Sequence, residues 1–70
     1  MRYAVVIERV PESNYCAYVP DLPGCVSTGD TRAEIERNIH EAIEFHLEGL
    51  REDGDAVPEP GTNVFFADVA

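Results

Sequence analysis

The sequence predicts an α+β fold in the order β-β-β-α-β: a three-stranded antiparallel meander, one long helix and a fourth strand. Three observations carry this. Short runs rich in β-branched and aromatic residues fill the first thirty positions, separated by turns that contain proline or glycine. A run from Thr31 to about Asp53 repeats apolar residues at helical spacing. A connector holding Pro58, Pro60 and Gly61 then leads into a last apolar run, Asn63 to Val69.

Each element has a local reason. Met1 to Val10 reads as the first strand. Tyr3, Val5 and Ile7 share one face, Ala4 and Val6 the other, so both faces are apolar at its middle. Pro11-Glu12-Ser13-Asn14 makes a polar turn of hairpin length. Tyr15 to Val19 is the second strand. Pro20-Asp21-Leu22-Pro23-Gly24 turns the chain outside the sheet, because proline cannot donate to a ladder. Cys25 to Thr28 is a short third strand suited to an edge. Thr31 and Glu34 have capping-box spacing, with Asp30 as the alternative cap. Ile35, Ile39, Ala42, Ile43, Leu47 and Leu50 form one helical stripe, with Glu36, Arg37, Glu41, Glu44, Glu48 and Arg51 on the other side. Gly54 is the natural stop. In the last strand Val64 and Phe66 share one face, and Phe65, Ala67 and Val69 the other.

A helical crossover after a meander makes a mixed sheet, with the last strand parallel to its neighbour. One helix covers one face of such a sheet. The first and last strands nevertheless supply apolar residues to both faces, so an exposed apolar patch is expected, and patches of that kind mark association sites.

Seventy residues form one domain with a thin core, burying only about 60% of the unfolded chain's surface. Small domains of this kind gain stability by self-association or by docking on a partner. Five Lys and Arg face fourteen Asp and Glu, a formal net charge of −9. That balance disfavours direct binding to a phosphate backbone and favours a basic partner. No run is apolar enough to span a bilayer, and the start lacks the pattern of a secretory signal, so the expected location is cytoplasmic and Cys16 and Cys25 are expected as reduced, packed thiols.

The run Ala17-Tyr18-Val19-Pro20-Asp21-Leu22-Pro23-Gly24-Cys25, followed by Ser27, Gly29-Asp30-Thr31 and Glu34, resembles the HicB-like antitoxin family of type II toxin–antitoxin systems. The strand Val5-Val6-Ile7-Glu8, the helix from Asn38 to Leu50 and Pro58-Glu59-Pro60 match as well. The resemblance implies a truncated, partial ribonuclease H-like mixed sheet. It also implies a protein that binds a small basic ribonuclease toxin of HicA type, which cleaves mRNA, and occludes its catalytic histidine. Many family members carry an added C-terminal DNA-binding domain. Nothing after Ala70 is left to build one, so residues 1–70 are expected as a single HicB-like domain. Two positions depart from the family pattern: Ile35 stands where alanine is usual, and the turn at Pro11 to Asn14 lacks the glycines common there.

A ribonuclease H-like core raises the question of nuclease chemistry, which needs carboxylates converging on two metal ions. Glu8, Glu34 or Glu41, and Asp68 are the acids available, but the helix acids belong mostly to the solvent side. His40 and His46 are too far apart in the helical repeat to make a metal pair, and no Cys/His spacing argues for a ligand set or an activated nucleophile. Tyr3, Tyr15, Tyr18, Phe65 and Phe66 could stack bases, but few cations accompany them, and packing is the better account. No catalytic residue, metal or cofactor is expected. Glu8, Tyr18, Asp21, Leu22 and Pro23 are the expected partner contacts, although the Asp21–Gly24 turn also reads as purely structural. Val64, Phe65 and Phe66 are the expected interface of a homo-oligomer, a dimer or tetramer, and a stand-alone oligomeric scaffold is the alternative to a toxin-binding module.

Overall fold

The computed structural model describes all residues, 1–70. Its elements are β1 (Val6–Arg9), β2 (Tyr15–Tyr18), β3 (Val26–Gly29) and α1 (Arg32–Glu52). The sheet is antiparallel with β2 at its centre. Val6 faces Tyr18 and Ile7 faces Ala17 across the first pair; Ala17 faces Ser27 and Tyr18 faces Val26 across the second. In the β1–β2 turn the Val10 N–H donates to the Asn14 carbonyl (2.9 Å) and the Ser13 N–H to the Val10 carbonyl (3.0 Å). Glu12 takes φ 58° there, the left-handed region, at the turn where the expected glycines are missing.

The helix starts where the capping residues place it. Thr31 is extended, and its hydroxyl accepts the Glu34 N–H at 3.1 Å, so Thr31 rather than Asp30 is the cap. At the other end the Gly54 N–H donates to the Arg51 carbonyl and the Asp55 N–H to the Leu50 carbonyl. With Gly54 at φ 73°, this is the paired bonding of a Schellman ending. The 21 residues between span about 32 Å.

One face of the sheet meets the helix. Ala17, Val19, Leu22, Cys25, Ile35 and Ile39 are its buried centre, flanked by half-buried Tyr3, Val5, Ile7, Tyr15, Ala42, Ile43 and Leu47. The helix lies over β3 and β2. It enters close to the sheet at Gly29, where a Cβ would stand 2.8 Å from the Ile35 nitrogen, so that position admits no side chain. The Asn38 side-chain amide donates to the Thr28 carbonyl (2.9 Å) and pins the helix along β3.

Two expectations change. Asn63 to Val69, expected as a fourth strand, pairs with no strand of this chain, and the sheet is antiparallel rather than mixed. The segment is exposed throughout, with Phe65 at 85% and Phe66 at 91%. Its two-sided apolar pattern is that of a covered strand, but nothing in the same chain covers it. Leu22, expected at a partner contact, is fully buried. The Leu22 N–H donates to the Val19 carbonyl and the Leu22 carbonyl accepts from the Cys25 N–H, so the turn folds its one apolar side chain inward to close the end of the core.

Leu22→Ala should therefore cost about 2–5 kcal/mol, a large share of what a domain this small possesses, and lower the urea midpoint accordingly. Glu12→Asn should raise the unfolding free energy by roughly 0.5–1 kcal/mol, and the urea midpoint with it, because asparagine tolerates the left-handed conformation.

Candidate functional site: the uncovered face of the sheet

Alternation along each strand sends every second side chain to the face the helix does not cover. Val6, Tyr18 and Val26 are directly opposed across the three strands and form one apolar row. Glu8, Cys16 and Thr28 form the next. At the strand spacing each row is about 10 Å wide. Tyr18 is 41% exposed and Val26 65%, large values for strand residues on such a small sheet. Tyr18 lies at the centre of its row and carries an apolar ring with a hydroxyl at its tip. Glu8 supplies the acid beside it and is exposed. Arg9 points elsewhere, over the Tyr15 ring at 6.0 Å.

The row continues around the β3 edge. Val26 also lines an open groove with Cys25, Ala42, Phe45 and His46, and Phe45 is largely exposed on the helix. Neither Val26 nor Phe45 is among the residues expected from sequence. The signal for Val26 was present, since Cys25 faces inward and the next residue must face out. Phe45 lies off the helical stripe, and nothing local marks it.

Asp21 is engaged within its own chain. Its Oδ2 accepts the Thr62 N–H (3.1 Å) and the Gly61 N–H (3.2 Å), and its Oδ1 accepts the Thr62 hydroxyl (3.0 Å). The Tyr3 hydroxyl donates to the Pro58 carbonyl. These two clamps tie the connector after the helix to the rest of the domain. The Thr62 amide chiefly holds the Asp21 carboxyl below its ordinary value; slight desolvation opposes, and the Gly61 amide and Thr62 hydroxyl add to the lowering. Pro23 is exposed beside this turn.

The acids considered for nuclease chemistry do not converge. Glu8 is on the uncovered face, Glu34 and Glu41 are on the helix across the sheet from it, and Asp68 is on the projecting tail. His40 pairs instead with Glu44 (3.0 Å), and no group of three or more His, Cys, Asp or Glu is gathered as a metal site would require. Cys16 faces the uncovered side, while Cys25 is buried in the core on the other. Burial pushes the Cys25 thiol up, away from the thiolate that reactivity needs.

Comparison with known proteins places this geometry. The model of the HicB-like antitoxins of bacterial toxin–antitoxin systems matches residues 3–65. A 14.9 kDa protein of Haemophilus phage HP1 is 48% identical over 59 residues, covering 84% of this chain and 44% of that protein. Antitoxin HicB 1 of Photorhabdus laumondii is 38% identical, covering 87% of this chain and 39% of that antitoxin. The chain thus spans less than half the length of these two relatives. A UPF0150 protein of Thermoplasma acidophilum is 38% identical and is matched over 84% of its length. Among solved structures, a chain of the HicA3 and HicB3 toxin–antitoxin complex superposes with a TM-score of 0.73 at 34% identity, over 87% of this chain and 70% of that one.

The Asp21 clamp sets a pH dependence. A carboxyl whose value is lowered on docking stabilises the docked connector in its ionised form. The clamp is at full strength above the ordinary value of 3.8 and is lost as the pH falls through the lower docked value. Amide hydrogen exchange at Gly61 and Thr62 should therefore be slowed at neutral pH and speed up relative to intrinsic rates on acidification. Asp21→Asn should weaken that protection at neutral pH and remove the acid transition.

Proposed function

This chain belongs to the HicB-like antitoxin family, and we propose that it is a non-enzymatic binding module that captures a small basic ribonuclease toxin of HicA type and covers its RNA-binding surface. The observation that carries the reading is the uncovered Val6–Tyr18–Val26 row on a chain of net charge −9. An apolar row with an acidic surround suits a cationic surface. The acids steer the encounter, and desolvated aromatic and aliphatic contacts then hold it. The same charge would compete with RNA for the toxin's cations, so occlusion is both steric and electrostatic. The likeness to a chain of the HicA3 and HicB3 complex supports the choice of partner.

In this reading Tyr18 is the anchor, Val6 and Val26 flank it, and Glu8 and Pro23 lie at the rim. Asp21 and Leu22 shape the domain without touching the toxin.

The test is calorimetry with the product of a neighbouring reading frame that encodes a small Lys/Arg-rich protein, together with an RNA-cleavage assay of that product. The expected result is a tight complex that abolishes cleavage and forms more slowly as salt rises. Tyr18→Asp should weaken binding at least tenfold while leaving the circular dichroism unchanged. Cleavage that continues unabated with saturating chain present would contradict the reading.

A further inference from the structure

We propose that the groove between the β3 edge and the C-terminal half of α1 seats one long cationic side chain, a lysine or arginine, of the basic partner. This seat presupposes the toxin reading given above and extends it from the sheet to the helix.

The groove has an apolar body and one acid at its end. Val26 lines it on the sheet side, and Ala42, Phe45, Gly49 and Leu50 line it on the helix side. Asp53, the C-cap of α1, closes the far end. Val26 is 65% exposed and Phe45 78%. A phenylalanine left so far in water contributes little burial to its own fold. Phe45, Gly49 and Asp53 stand four residues apart, so they form one stripe along the helix.

Gly49 has no explanation within the chain. It sits inside α1, where glycine is a poorer choice than alanine. It is not among the glycines with positive φ, which are Gly24 and Gly54. A Cβ built on it would meet nothing within 4 Å, whereas one at Gly29 would strike the Ile35 backbone. Neither backbone conformation nor packing therefore demands a glycine at position 49. Its effect is to keep the floor of the groove bare between an exposed aromatic ring and an acid.

Charge selects the occupant. No lysine or arginine lines this groove, and its one carboxylate is Asp53. The groove at the β1 flank differs, with Arg2 and Arg32 in its lining. A second copy of the chain would bring a further net charge of −9 to an acidic surface. A basic protein meets no fixed positive charge here and finds an acid.

A lysine or arginine suits both parts of the groove. Its apolar stem can lie over Gly49, against Phe45 and Val26, while its charged head reaches Asp53. Gly49 and Asp53 are one turn apart, about 6 Å along the axis. The negative end of the helix dipole favours a cation at that point, and the exposed Phe45 ring offers its face to one. Val26 also ends the Val6–Tyr18–Val26 row, so a partner docked on the far face can wrap the β3 edge and fill the groove.

Calorimetry of the full chain against the small Lys/Arg-rich product of the neighbouring reading frame tests the seat. Gly49→Leu fills it with a better helix former. Its urea midpoint should equal or exceed that of the wild type, while binding weakens by about tenfold or more. Phe45→Ser should also weaken binding, with circular dichroism unchanged. Asp53→Asn should weaken it less and flatten its dependence on salt. Wild-type affinity in both Gly49→Leu and Phe45→Ser, with Tyr18→Asp still impaired, would overturn the seat and leave the toxin reading standing. No binding by the wild type would overturn the toxin reading and the seat with it. Phe45 and Gly49 NMR signals that move with the chain's own concentration, and not with added partner, would overturn the seat in favour of a contact between copies.

Discussion

A single amphipathic helix can shield only one face of a sheet, and here it does not shield even that face completely. α1 lies over β3 and β2, which buries Ile35 and Ile39 against Ala17, Val19, Leu22 and Cys25. Two surfaces are left over. The far face leaves the Val6–Tyr18–Val26 row uncovered, with Tyr18 and Val26 exposed and Val6 half-buried, and the β1 flank keeps an apolar groove. The six-residue buried cluster is small even for 70 residues, so association at either surface would add burial where the domain has least of it. Both open surfaces are thus a consequence of incomplete coverage rather than of any one residue.

The parts of the fold legible in the sequence are those set by local, periodic physics. The helix bounds follow from a threonine cap and a glycine in the left-handed region, and the structure moves them by about one residue from the expected Thr31 to Asp53. The strands follow from alternation, though shorter than expected at their ends. What resisted reading was long-range. Asn63 to Val69 has the pattern of a strand covered on both sides, and the pattern says nothing about which chain provides the cover. Leu22, between two prolines, reads equally as presented or tucked, and only the hydrogen bonds of Val19, Leu22 and Cys25 decide it. Asp21 bonds to residues some forty positions away, a pairing no local rule encodes. Of the uncovered face, the placement of Glu8 and Tyr18 follows from strand alternation, and so does that of Val26 once Cys25 is known to face inward.

The chemistry separates by surface. The outer side of α1 carries Glu36, Glu41, Glu44 and Glu48, all solvent-exposed, and supplies a long-range field rather than a contact. The sheet's far face carries the apolar Val6–Tyr18–Val26 row. The tail is almost uncharged and supplies neither field nor catalysis; it is apolar surface held at a defined exit point by Asp21.

The most direct test of this account is an NMR cross-saturation footprint of the labelled chain bound to the small Lys/Arg-rich protein proposed as its partner. The account predicts saturation transfer centred on Val6, Tyr18 and Val26, with the outer helix residues Glu41, Glu44 and Glu48 unaffected. A footprint centred on those helix residues, with the Val6–Tyr18–Val26 row silent, would contradict it.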